Sequence, residues 1–199
     1  MKTEYEAKFL QIDIDAMRSR LRAAGATLEQ PLRLLRRIVY ESPQLNAKNA
    51  YIRVRDEGHR VTLTYKQFDA LALDGAKELE VVVSDFQTTV DLLAAIGITG
   101  TAYQESRREN WRLDDVDIMI DEWPWLVPYI EIEADEPAQV QSVAEHLGLA
   151  WADAAFGDIM VAYRDQYPHL DLNQQISVLP EVKFGDPLPS LFQGSVDKS

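Results

Sequence analysis

Strands that alternate in charge, with the signs sorted strand by strand, set the strongest limit on what this chain can fold into. In an extended strand successive side chains point to opposite faces. Glu4, Glu6 and Lys8 therefore share one face of the first strand, opposite Tyr5, Ala7 and Phe9. Later stretches repeat the pattern. Arg53 and Arg55 lie opposite Ile52 and Val54, and Lys66 falls with Thr62 and Thr64 opposite Val61, Leu63 and Tyr65. Glu78 and Glu80 oppose Leu79 and Val81, Asp121 opposes Ile118 and Ile120, and Glu131 and Glu133 oppose Ile130 and Ile132. A half-solvated sheet accounts for the alternation. It does not account for pure acid pairs on two strands and a pure arginine pair on another, nor for short acids in strands, where their propensity is poor. A sheet that curls until these faces meet lets the two signs satisfy each other across a wet interior.

Taken in order, the chain reads as strand 4–9, a helix carrying Ile14, Met17, Leu21 and Ala24 that starts at Asp13 or Asp15 and stops at Gly25, and strand 34–41. Strands 50–56 and 60–68 flank the turn Glu57-Gly58-His59. Strand 77–84 follows a loose segment, and Ser84-Asp85 caps a second helix that ends at Gly97. Strands 103–113, 116–122 and 129–134 come next, then a third helix from Glu136-Pro137 and a helical segment over 156–167. Eight strands with hairpin connections and three clear helices predict an α+β protein on a large antiparallel sheet. One domain spans 1–165, and 166–199, with Pro168, Pro180, Pro187 and Pro189, reads as an extended arm or partly disordered tail.

Composition removes several chemistries. With no cysteine there is no disulfide, thiolate nucleophile or Cys-based zinc site. His59, His146 and His169 stand far apart, without metal-ligand spacing. The formal net charge of −13 argues against nucleic acid as a partner. No apolar run is long enough to span a bilayer, and the N-terminus lacks the apolar core of a signal peptide, so the expected location is cytoplasmic, with no membrane partner. Clustered carboxylates facing clustered Lys and Arg instead suit a metal-chelated polyphosphate. Oxygen ligands hold hard cations such as Mg²⁺ or Mn²⁺, and guanidinium and ammonium groups hold phosphate oxygens. Phosphoryl transfer needs positioning and charge neutralisation more than a Cys or His nucleophile.

The series Glu4-x-Glu6-x-Lys8, Arg53-x-Arg55, Lys66, Glu78-x-Glu80, Arg108, Asp121 and Glu131-x-Glu133 resembles, in that order, the CYTH superfamily of triphosphate tunnel metalloenzymes. Its members include class IV adenylyl cyclases, thiamine triphosphatases and inorganic triphosphatases, and the resemblance covers about residues 1–165. It implies an eight-stranded antiparallel β-barrel, or tunnel, with helices packed outside. It also implies Glu4, Glu6, Glu131 and Glu133 as the main metal carboxylates, with Glu78, Glu80 and Asp121 supporting metal, water or the basic residues. Lys8, Arg53, Arg55, Lys66 and Arg108 would grip the triphosphate, with Lys8, Lys66 and Arg55 acting in catalysis. Lys183 is the candidate for a tail residue that closes the tunnel.

The chain departs from the family pattern in two places. Ser106 stands where a lysine is frequent, and parity with outward Trp111 favours Arg108 over Arg107 as the inward cation. Arg37 stands where an aspartate is frequent, facing either phosphate or solvent. Trp123 and Trp125 offer an indole for stacking on an organic group, against a structural role in packing or at a dimer contact. The expected function is divalent-metal-dependent hydrolysis of a triphosphate, inorganic triphosphate ahead of thiamine or nucleoside triphosphates. The alternatives are an adenylyl cyclase and a non-catalytic polyphosphate or nucleotide binder. A homodimer is compatible with the family.

Overall fold

The computed structural model describes residues 1–171 and 175–193. Eight antiparallel strands close into a barrel: β1 (Lys2–Phe9), β2 (Thr27–Tyr40), β3 (Ala50–Asp56), β4 (Val61–Phe68), β5 (Ala76–Val83), β6 (Ala102–Leu113), β7 (Val116–Glu122) and β8 (Tyr129–Ala134). Neighbours run β2-β3-β4-β5-β1-β8-β7-β6, and a β2–β6 pairing completes the ring. A two-residue strand, β9 (Glu181–Val182), adds to β6 in parallel. Helices α1 (Ile14–Ala23), α2 (Pro43–Asn46), α3 (Phe86–Ala95), α4 (Pro137–His146) and α5 (Met160–Gln166) decorate the barrel. Asp13 and Asp85 cap α1 and α3 by accepting the Ala16 and Thr88 N–H groups. Pro137 opens α4, where its missing N–H costs nothing.

Leu35, Phe68 and Met119 line the interior, but most other buried apolar positions of the strands point outward, and the hydrophobic clusters lie outside the barrel. Ala7, Phe9, Ile118, Ile120, Ile130 and Ile132 pack under Met17 and Leu21 of α1 and Val140 and Ala144 of α4. Leu93 of α3 covers Tyr40 and Val54. A third cluster joins Trp123, Met160, Tyr163, Val182 and Phe192. Burying a large apolar side chain is worth about 1.5–3 kcal/mol. These outer clusters carry the fold and leave the interior free to be polar.

Two expectations need correction. The segment 156–167 is helical only over Met160–Gln166, because Gly157 turns at φ +121° and the Asp158 carboxylate accepts the Met160 N–H to start the helix. β2 begins at Thr27 rather than Leu34, its first half held against β6 through irregular register at Leu28, Gln30 and Arg33. Pro31 is tolerated there because bulges leave ladder positions unpaired. Over 175–193 the arm packs against the rest of the chain. Phe192 sits between Tyr163 and Tyr167, and β9 lies on β6. Any disorder expected at 172–174 and 194–199 falls outside the described residues.

One seam of the barrel is closed without a strand. β1 pairs with β5 only over Lys2–Glu4. Beyond that, the Glu6 N–H donates to Leu73 O at 3.1 Å, and Lys8 and Ala155 exchange two backbone hydrogen bonds of 2.9 and 2.8 Å. The chain after α4 is thereby pinned across one end of the barrel.

Candidate active site

The period of two brings the charged positions together inside. Across neighbouring strands Glu6 faces Glu133 and Lys8 faces Glu131. Arg108 lies between Arg33 and Asp121. Lys66 lies between Tyr51 and Glu78, and Arg53 beside Thr64, which faces Glu80. All of these but Thr64 line a cavity of about 410 Å³. Carboxylates line it from the neighbouring strands β5, β1, β8 and β7, and guanidinium groups from β6, β2 and β3.

Buried ion pairs tie this lining together. Lys66 Nζ lies 2.9 Å from both Glu4 and Glu6 and 3.5 Å from Glu78. Lys8 Nζ reaches Glu131 at 2.9 Å and Glu6 at 3.2 Å. Burial works against both ammonium groups, but the facing carboxylates outweigh it and raise their pKa values. Arg108 donates from Nε and Nη2 to the two oxygens of Asp121, each at 2.8 Å. Such a bidentate pair fixes the guanidinium plane.

The carboxylate wall is over-supplied. Oxygens of Glu6, Glu131 and Glu133 lie within 4.8 Å of one another. Burial, then the nearby Glu4 charge, push Glu133 up to about 8 against the pull of Lys66, with Glu131 and Glu6 adding to the shift. Crowded hard oxygen donors of this kind are the set a Mg²⁺ or Mn²⁺ ion takes. The opposite wall is under-paired. Arg53 reaches Glu78 only at 3.4 Å, and the Nε atoms of Arg53 and Arg55 are buried without a hydrogen-bond partner. Burial and the Arg53 charge pull the Arg55 guanidinium down to about 10, still charged at neutral pH. Buried donors lacking acceptors are costly, and a bound anion removes that cost.

All the expected tunnel residues, Glu4, Glu6, Lys8, Arg53, Arg55, Lys66, Glu78, Glu80, Arg108, Asp121, Glu131 and Glu133, line this one cavity. Arg108 points in. Arg107 points out, over the Phe184 ring at 4.2 Å and towards Glu122. Asp121 is committed to Arg108, and Glu80 accepts from Thr64. Lys183 is corrected: it pairs with Glu181 on the arm, away from the cavity lining. Of the tryptophans, Trp125 is spent on packing, its indole donating to Asp186 O and resting on Phe192. Trp123 lines the tunnel with the Arg37 guanidinium 4.6 Å from its ring centre.

Sequence reading missed Glu57, Arg33, Arg60, Tyr129 and Asp158. Glu57 is buried and pairs with Arg55 and Arg60, while its carbonyl accepts from Arg33 Nε at 3.0 Å. Its signal was present: position 57 continues the parity of Arg53 and Arg55 one step past the end of β3. Asp158 had no such signal, since it lies in irregular chain.

A family model for the CYTH domain matches residues 2–153. Among solved structures, a candidate adenylate cyclase from Vibrio parahaemolyticus superposes with a TM-score of 0.70 at 13% identity, covering 81% of this chain and 98% of that one. The PH1012 protein from Pyrococcus horikoshii gives 0.67 at 20% identity, covering 80% and 98%. HpAC1 from Hippeastrum, described as a candidate adenylyl cyclase with a dominant triphosphatase activity, gives 0.53 at 14% identity, covering 83% and 96%. No curated protein matches the sequence.

Proposed function

Because the chain belongs to the CYTH family, we propose that it is a divalent-metal-dependent triphosphatase, with inorganic triphosphate as its leading substrate. The observation that carries this reading is the division of one cavity into a crowded carboxylate wall and an under-paired arginine wall. Lys8, Lys66, Arg53, Arg55 and Arg108 bind and orient the phosphates. Their fixed charges neutralise the oxygens of the departing diphosphate as the bond breaks. Glu6, Glu131 and Glu133, with Glu4 beside them, would hold Mg²⁺ or Mn²⁺, which when bound supplies charge neutralisation to the phosphate oxygens. Glu78 and Asp121 hold Arg53 and Arg108 in place, and so act on substrate through those cations.

The grip reads phosphates rather than an organic group. Trp125 is turned to the arm, and the face of Trp123 is taken by Arg37. Thiamine or nucleoside triphosphates would present the same three phosphates with their organic part left outside the grip. The test is phosphate release from tripolyphosphate, thiamine triphosphate and ATP with Mg²⁺ or Mn²⁺, beside Glu6→Gln and Arg55→Ala. Release in the wild type, lost in both variants, is expected. Cyclic AMP from ATP would replace the hydrolase reading by the cyclase one, and triphosphate binding without product would make the protein a sensor.

A further inference from the structure

The tunnel is open at one end and walled at the other. Glu29, His59 and Arg60, at the open end, are exposed. Trp123, Tyr129 and Ile159, at the walled end, are buried. The wall is the segment pinned to Lys8 by Ala155, and it lies beyond residue 153, where the family match ends. Two features at this end of the tunnel have no part in the phosphate grip described above.

The first is Arg37. Its Nε donates to Gln104 Oε1 at 2.8 Å and its guanidinium lies on Trp123, but among the described residues it makes no ion pair. With Tyr51, Asp158 and Ile159 it lines both the tunnel and a chamber behind it, at the walled end. The second is a side chamber of about 40 Å³ behind Arg37, bounded by Tyr51, Gln104, Asp158, Ile176 and Ser177. That is room for at least one water, which needs roughly 10–15 Å³ of such space and two to four polar partners. Asp158 borders both the chamber and the tunnel and feels the charges of Arg164, Lys8 and Arg37.

Resting on the triphosphatase reading, we propose that the substrate enters with its terminal phosphoryl group first, that Arg37 receives that group, and that Asp158 holds the attacking water beyond it. In-line displacement puts the nucleophile on the side of phosphorus away from the bridging oxygen. For a phosphate chain entering from the open end, that side is the walled end. The water oxygen forms the new bond to the terminal phosphorus, and the water gives a proton to the Asp158 carboxylate. The bond to the bridging oxygen breaks with its electron pair remaining on the diphosphate, whose charge faces Lys8, Lys66 and Arg53.

The test compares tripolyphosphate with a dinucleoside triphosphate capped at both ends, on the wild type, Asp158→Asn and Arg37→Gln. The capped compound is expected neither to be hydrolysed nor to raise the melting temperature, because it has no free terminal group to insert. Asp158→Asn should lower kcat by about 100-fold, the ordinary contribution of a positioned base. It should also abolish the acidic limb of the pH–rate profile and leave the melting shift with tripolyphosphate intact. Arg37→Gln should raise KM for tripolyphosphate by roughly tenfold, as loss of a charge-assisted contact does. Hydrolysis of the capped compound at the rate of tripolyphosphate, or a kcat for Asp158→Asn within about threefold of the wild type, overturns the inference. A wild type inert towards every triphosphate defeats the triphosphatase reading instead. Melting shifts then still decide the walled end, since equal stabilisation by capped and uncapped compounds overturns it.

Discussion

Replacing Glu57 by glutamine should weaken the empty fold and strengthen its hold on a polyphosphate. Burial alone would push this carboxyl up, but Arg55, Arg60 and Arg108 outweigh burial and bring it from an ordinary 4.5 down to about 2. At about 1.36 kcal/mol for each pKa unit, the charged form stabilises the fold by about 3 kcal/mol at neutral pH. The folded pKa is depressed, so that contribution is complete above an ordinary carboxylate pKa and disappears as pH falls through about 2. For a chain of this length about 3 kcal/mol corresponds to roughly 6–12 °C in Tm. The same change strips Arg55 of its nearest counter-charge and leaves a buried guanidinium with one more free donor face. Tripolyphosphate should therefore bind Glu57→Gln more tightly, by about tenfold if one charge-assisted contact improves. Thermal melts with and without tripolyphosphate, backed by calorimetric titration, read both effects. The melting deficit should shrink in acid. A variant as stable as the wild type, or one that binds tripolyphosphate more weakly, would refute the charge balance described for this end of the tunnel.

Arg108→Met leaves Asp121, 1% exposed, without its bidentate partner. Urea unfolding should register a loss of about 3–5 kcal/mol, and an unchanged midpoint would deny the pair its structural role. Glu131→Gln should weaken Mn²⁺ binding at least about tenfold by titration calorimetry, since it removes one member of the only three-carboxylate cluster found among the described residues. Equal Mn²⁺ affinity would move the metal elsewhere. Trp125→Ala should lower Tm through its lost contacts with Asp186 and Phe192 while leaving the ratio of tripolyphosphate to ATP hydrolysis unchanged. A shifted ratio would return the indole to the substrate.

What the sequence made legible was whatever obeys the period of two. The inward rows on β1, β3, β4, β5, β7 and β8 follow from parity alone, because an unbroken ladder carries each side chain to a known face. Arg33 was hidden for the opposite reason. The register slips twice near it, at Leu28 to Gln30 and Gln30 to Arg33, and parity is lost across a bulge. Glu57 was read as a turn residue because a hairpin signal and the end of a strand occupy the same positions. Asp158 and the arm lie where no repeating pattern exists. Ile176, Val182 and Phe192 are apolar residues without a period in a polar, proline-rich stretch, and only tertiary contacts reveal that each is buried.

Placing the apolar clusters on the outside of the ring has a consequence for how such a protein can change over generations. Residues that pack the outer clusters and residues that line the cavity stand on opposite faces of the same strands, one position apart. A substitution at an inward position alters the charge lining and leaves the packing beneath α1 and α4 untouched. A substitution at an outward position does the reverse. Selection can therefore alter the charges that face the cavity through inward positions alone. Packing and charge lining are separable in this way, but inward charges held in buried pairs, such as Arg108 with Asp121, must change together if the fold is to survive.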